Sequence, residues 1–149
     1  MRILLAIDDS ECSEAATRAV IAHFPREGTE VLVLHADEWP NQLPTSLPFV
    51  EGPTAAAEVL DVRDERRRQG EELVARTAQR LQSAGFRANT TVREGDARDA
   101  ILDAAAQWSS DVIVLGSHGR KGVTRFLLGS VSETIVRHAP CSVEVVRAK

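Results

Sequence analysis

At 149 residues, with 43% hydrophobic and 27% charged side chains, the chain has the size and composition of one globular domain, which sets disordered and fibrous classes aside. Its net charge of −4 gives no support to a nucleic-acid partner. The longest basic run, Arg66-Arg67-Arg68, lies beside Asp64, Glu65, Glu71 and Glu72, the pattern of a solvated helix face. No apolar run approaches the roughly 18 residues of a membrane span. The chain enters a strand at once without a secretory leader pattern, and Cys12 and Cys141 suggest neither a disulfide framework nor a metal pair. The expectation is a soluble, reduced, cytoplasmic protein with no nucleic-acid or membrane partner.

In chain order, Arg2 to Ile7 is a nearly continuous apolar run, as in a strand covered on both faces. Asp8 closes it. Ser10 or Asp9 is placed to cap a helix in which Ala15, Ala16, Ala19 and Val20 recur at helical spacing, and Pro25 and Gly28 end that helix. Glu30 to Ala36 reads as a second buried strand. Asp37 to Pro53 carries Pro40, Pro44, Pro48, Gly52 and Pro53 and reads as a functional or mobile loop after that strand. Thr54 then offers an N-cap to a long helix with Leu73, Val74, Thr77, Ala78 and Leu81 on one side, closed by Gly85. Phe86 to Arg93, rich in Thr and Val, suggests an edge strand. Gly95-Asp96 opens a helix whose apolar stripe is Ala100, Ile101, Ala104, Ala105 and Trp108.

The chain is organised around Asp111 to Pro140. Val112-Ile113-Val114-Leu115 reads as a strand, Gly116, Gly119 and Gly122 follow, and Gly129-Ser130 precedes a helix. Ser130-Val131-Ser132-Glu133 fits a capping box, which puts the helix start at Ser130. Strand, glycine loop and helix N-terminus are the parts of a backbone-built anion site, because first-turn amides point outward unpaired and glycines admit a ligand to the main chain. The Walker A pattern and G-x-G-x-x-G fit nowhere in the chain. Ser142 to Val146 is a last strand. Strands and helices alternate without repeat or linker, so the fold class is α/β: a single domain with a mostly parallel sheet and helices on both faces.

The spacing G-x2-G-x9-G-[ST], met by Gly116, Gly119, Gly129 and Ser130, resembles the nucleotide-binding branch of the universal stress protein family. The opening ILLAIDDSECSEAA and the closing GSVSETIVRHAPCSVEVV resemble that family's first strand-to-helix passage and its last helix and strand. The likeness runs from Ile3 to Arg147 and is weakest between Glu38 and Arg68. Asp9 stands where the family commonly has glycine. The resemblance implies an open five-stranded Rossmann-like sheet of order 3-2-1-4-5. Ligands then bind at the switch point between strands one and four, where Asp8 and Gly116 lie.

The resemblance also implies the ligand and its contacts. ATP is expected, its phosphates held by amides near Gly119, Gly129 and Ser130, with the Ser130 hydroxyl as a further donor and Val131 and Ser132 on the same first turn. Gly129 is expected to need positive φ. Asp8 either caps the first helix or faces the nucleoside. The main chain at Ala36 matches the adenine contact, and Ile7 and Leu115 are expected to supply apolar wall. His118 could reach phosphate, as could Arg120 and Lys121. Mg2+ bridging the phosphates would be ordinary chemistry for ATP, although no carboxylate cluster forms a cage. His23, His35 and His138 are scattered and are assigned to structure, and Cys141 is expected to be buried and inert.

No nucleophile elbow, zincin helix or kinase signature is present. With the resemblance, the function expected is a small regulatory nucleotide-binding module for stress response, with protein clients possible. The resemblance implies that it acts as a homodimer through the C-terminal edge strand, whose exposed backbone groups must be blunted, covered or paired. A slow ATPase or autophosphorylating enzyme, and a nucleotide-free dimerisation scaffold, are the alternatives.

Overall fold

The structure, a computed structural model, describes residues 1–38, 53–119 and 128–148. Five strands alternate with four helices: β1 (Arg2–Ala6), α1 (Glu11–His23), β2 (Glu30–Asp37), α2 (Pro53–Ser83), β3 (Arg87–Glu94), α3 (Ala97–Gln107), β4 (Val112–Gly116), α4 (Ser130–His138) and β5 (Ser142–Val146). All four strand pairings are parallel and the order is β3-β2-β1-β4-β5. This is the order 3-2-1-4-5 that the resemblance implies.

The continuous apolar runs are explained by two cores, one on each face of the sheet. On one face Ile3, Leu5, Ile7, Val31, Val33 and Val114 pack against Ala16 and Val20 of α1 and Val74, Ala78 and Leu81 of α2. On the other, Leu4, Ala6, Leu34, Ile113 and Leu115 pack against Ile101, Ala104 and Ala105 of α3 and Ile135 of α4. Strand residues of either parity are thus buried, which a one-sided sheet would not require. Burying each large aliphatic side chain contributes roughly 1.5–3 kcal/mol.

Some boundaries move. β1 ends at Ala6, although Ile7 N–H still donates to Leu34 O at 2.9 Å. β2 extends to Asp37, and α2 begins at Pro53 rather than after a cap at Thr54. Proline is tolerated in a first turn, whose N–H groups have no helical acceptor. Trp108 serves as the C-cap of α3 and is half-buried rather than part of its core stripe. The irregular segment expected over 37–53 falls, for 39–52, outside the described residues.

Arg66-Arg67-Arg68 divides between two roles. Arg67 and Arg68 pair with Glu71 and Glu65 on an exposed face of α2, as expected. Arg66 turns inward, giving Asp37 of β2 two hydrogen bonds at 3.0 and 2.9 Å. Asp37 is only 3% exposed, and its pairing holds α2 to the carboxyl end of β2. No helix among the described residues is long and apolar enough to cross a membrane.

Candidate functional site

The carboxyl ends of β2, β1 and β4 come together, with Ala6 in register with both Leu34 and Leu115. In a parallel ladder a residue turns its N–H and C=O toward the same neighbouring strand, and successive residues alternate. Leu34 faces β1, since its C=O accepts from Ile7. Asp37 faces β3, since its C=O accepts from Gly95 N–H at 3.0 Å. Ala36 therefore faces β1, but β1 has ended. The next acceptor along it, Ile7 O, accepts instead from His35 Nδ1 at 2.9 Å. One donor and one acceptor of the main chain at Ala36 are left facing the gap beyond the end of β1.

Asp8 follows Ile7 at the same end of the sheet. Its Oδ1 accepts from Ser10 N–H at 3.2 Å, from Ser13 O–H at 2.6 Å and from Ser10 O–H, while Asp8 N–H donates to Ser13 Oγ at 2.9 Å. The N-cap of α1 is Ser10, whose side chain accepts from Ser13 N–H. Asp8 therefore is not the helix cap. Its Oδ2 approaches the glycine loop so closely that a Cβ on Gly119 would lie 2.7 Å from it. A side chain at residue 119 would have to displace that carboxylate oxygen.

The amino end of α4 is tied to the end of β4 through Ser117. Ser117 O accepts from Gly129 N–H at 2.8 Å and from Ser132 O–H at 2.9 Å, and Ser117 N–H donates to Val146 O at 2.7 Å. The cap is Gly129, with no side-chain cap bond, and Glu133 N–H donates to Gly129 O at 2.9 Å. The helix starts at Ser130 as expected, but its cap is Gly129 rather than the Ser130 of a capping box, so Ser130 occupies the first turn. The N–H groups of Ser130, Val131 and Ser132 have no acceptor within the helix. They form an uncapped helix start with a favourable dipole for an anion.

These contacts change the expected roles of several residues. Gly129 has φ −66°, not positive φ. Its constraint is space, because a Cβ would lie 3.1 Å from Ser117 O. Its own amide is committed to Ser117, and the Ser132 hydroxyl is committed to Ser117 O and Gly129 O. Ser132 can offer a ligand only its amide. Gly116 serves packing, since a Cβ there would meet Cys12 Cβ at 2.7 Å and Cys12 C at 2.9 Å. Ile7 and Leu115 belong to cores on opposite faces of the sheet and do not form one wall. Residue alternation separates them, because Leu115 is level with Ala6.

His118 is half-buried, with Nδ1 3.1 Å from Ser117 Oγ. Arg120, Lys121 and Gly122 lie outside the described residues. The sequence reading passed over Ser13 and Ser117, which are 5% and 1% exposed and hold the site in place. Ser13 could have been flagged by its position on the buried side of α1's first turn, five residues after Asp8. Among the described residues no group of three His, Cys, Asp or Glu could hold a metal ion.

Groups elsewhere in the chain have shifted pKa values. Arg98, hydrogen-bonded and ion-paired to Asp96 at the start of α3, lowers the Asp96 carboxyl from 3.8 to about 2 and is itself raised. Cys141 is half-buried rather than fully buried; burial, with the Asp111 charge second, raises its thiol pKa.

A doubly wound parallel sheet with an uncapped helix start at its switch point defines a class of ligand-binding α/β proteins. Comparison with known proteins narrows the class. Residues 1–147 match the model of the universal stress protein family. A universal stress protein of Thermus aquaticus is 35% identical over 147 residues, covering 97% of each chain. The solved structure of the hypothetical protein MJ0577 superposes with a TM-score of 0.81 at 25% identity, covering 99% of this chain and 96% of that one. A family member from Arabidopsis thaliana, solved with AMP bound, superposes with a TM-score of 0.69 at 18% identity, covering 100% and 92%. The chain belongs to the universal stress protein family.

Proposed function

We propose that the protein is an adenine-nucleotide-binding regulatory module of the cytoplasm that takes ATP, with Mg2+ on the phosphates, and acts as a homodimer. The observation that carries this reading is the convergence at one crevice of three differently built groups. Ala36 offers a main-chain donor and acceptor, Asp8 a carboxylate, and the first turn of α4 a set of amides. These suit, in turn, the edge of a purine, a ribose hydroxyl or base amine, and a phosphate. AMP in the Arabidopsis relative supports a nucleotide as the ligand class. Binding energy would come from preformed backbone groups. Mg2+, when present, would neutralise phosphate charge, and the amides of Ser130, Val131 and Ser132 would orient the phosphates.

The homodimer reading rests on β5. It lies at the sheet edge, and Val143, Val145 and Val146 are partly buried against the cores. Its Glu144 is held by His23 Nδ1 at 2.7 Å, which leaves that charge already paired. An edge so built suits pairing with its own copy across a two-fold axis.

Calorimetry with ATP and Mg2+, beside melting curves at rising ligand, tests the first half. Stabilisation should grow with free ATP by mass action. Absence of both binding heat and a melting shift at millimolar ATP rejects it. Sedimentation tests the second half: a monomer at micromolar concentration rejects the dimer.

A further inference from the structure

His35 is 6% exposed, and its ring reaches from β2 to the backbone of the neighbouring strand. A carbonyl oxygen only accepts, so the bond of 2.9 Å to Ile7 O places a proton on His35 Nδ1. The ring needs a slot, and α2 supplies it with a glycine. A Cβ on Gly70 would lie 2.8 Å from His35 Cδ2 and 3.5 Å from His35 Nε2, with Val92 Cγ1 of β3 also at 3.5 Å. Glycine weakens the interior of a helix relative to alanine. Gly70 stands deep inside the 31-residue α2, where helix formation alone would favour alanine.

The bond falls at a decisive place in the ladder. Ile7 N–H already reaches Leu34 O, and the in-register donor to Ile7 O is Ala36 N–H. The imidazole occupies that acceptor first. We propose that His35 is a positioning residue of the base site. By taking Ile7 O it stops the β1–β2 ladder one bond short, leaving Ala36 N–H and C=O for the N1 and 6-amino group of adenine, and Gly70 is the slot that permits it. This rests on the nucleotide reading above and specifies its base preference. Adenine presents an acceptor at N1 and a donor at the 6-amino group, matching Ala36. Hypoxanthine presents N1–H and O6, the reverse, and is refused.

Calorimetry with ATP and with inosine triphosphate, each with Mg2+, compares wild type with His35→Ala, His35→Asn and Gly70→Ala. Wild type should prefer ATP by at least about a hundredfold, because the reversed donor and acceptor of hypoxanthine leave the Ala36 groups unpaired. His35→Ala vacates Ile7 O, Ala36 N–H closes on it, and the preference should fall by about tenfold, the scale of one hydrogen bond. The Asn amide, placed like Nδ1, should restore the preference. Gly70→Ala strengthens α2 as a helix yet presses the ring off Ile7, so it should show the same loss without the cavity of His35→Ala. A merely structural histidine would lower the melting temperature and both affinities together. An unchanged ATP-to-inosine ratio in both His35→Ala and Gly70→Ala overturns the proposal. Equal wild-type affinity for the two nucleotides also overturns it while leaving nucleotide binding intact, whereas a wild type that binds neither rejects the nucleotide reading itself.

Discussion

Helices α1 and α4 both begin at the carboxyl end of the sheet, and they begin differently. At α1 the Ser10 hydroxyl accepts from Ser13 N–H at 3.2 Å, Asp8 binds Ser10 and Ser13, and Glu11 and Glu14 occupy the first turn. The Ser10 and Ser13 amides are met by the protein's own oxygens and the first turn is acidic, which disfavours an anion there. At α4 the cap is Gly129, with no side chain to offer. A Ser, Asn or Asp cap typically contributes about 1 kcal/mol over alanine, with glycine a few tenths behind. Among the described residues, one helix start has a side-chain cap and the other has none. Both begin beside the switch point, so it is the missing side-chain cap that favours α4 for the proposed phosphate.

The strongest way to break this contrast is to close α4 as α1 is closed. Gly129 has φ −66° and ψ 156°, an N-cap conformation open to any residue. Gly129→Asp would supply a capping oxygen, with Ser117 O yielding slightly to a Cβ at 3.1 Å. The variant should melt no lower than wild type. Its ATP affinity should fall by about a hundredfold, since like charges in contact cost several kcal/mol. Calorimetry beside thermal melting reads both quantities. Wild-type affinity in this variant would move the phosphate away from α4.

A smaller effect is expected from the other side of the crevice. Gly119→Ala would set a Cβ 2.7 Å from Asp8 Oδ2. The carboxylate cannot swing away freely, because Ser10 and Ser13 hold its other oxygen. Overpacking of this kind costs about 1–3 kcal/mol, so ATP affinity should drop roughly tenfold. Titration with adenosine should show the same loss if Asp8 serves the nucleoside, and no loss if the crowding is felt by the phosphates.

The sheet was legible because its signal is local. Val112 to Leu115 and Ile3 to Ile7 are apolar at every position, and only strands covered on both faces demand that. The edge strand β3 declared itself through Thr90, Thr91 and Val92. Sidedness was harder: Ile7 and Leu115 look equivalent in sequence, and only the register of Ala6 on Leu115 shows that they face opposite cores. The cap of α4 was misplaced by one residue, because Ser130-Val131-Ser132-Glu133 satisfies the capping-box pattern while the backbone turns at Gly129. Tertiary meetings left no local trace at all. Gly70 and His35 belong to different elements, and nothing near either announces the other. The same holds for Arg66 and Asp37, and for Ser117, whose carbonyl holds the start of α4.

The smallest expected effect comes from a third helix start, that of α3, which is closed and follows the edge strand β3. Asp96 is its cap, accepting from Arg98 N–H at 2.8 Å and pairing with the Arg98 guanidinium. Asp96→Ala should cost about 1 kcal/mol of stability and leave ATP affinity unchanged, which separates a structural helix start from the functional one. The loss should depend on pH in a definite direction. Arg98 lowers the Asp96 carboxyl from 3.8 to about 2 in the folded protein. A depressed folded value means that the ionised form is favoured by folding. Its contribution is present above the unfolded value and fades as pH falls through the folded one. Because the pair is exposed, solvent screening keeps this ionic part well under what the shift alone would suggest. Urea unfolding of wild type and Asp96→Ala should therefore show a stability gap that is full near neutral pH and narrows between about pH 5 and about pH 2. A gap that stays constant over that range would mean that the cap acts through shape and neutral hydrogen bonding, and that the Arg98 pairing adds nothing to the fold.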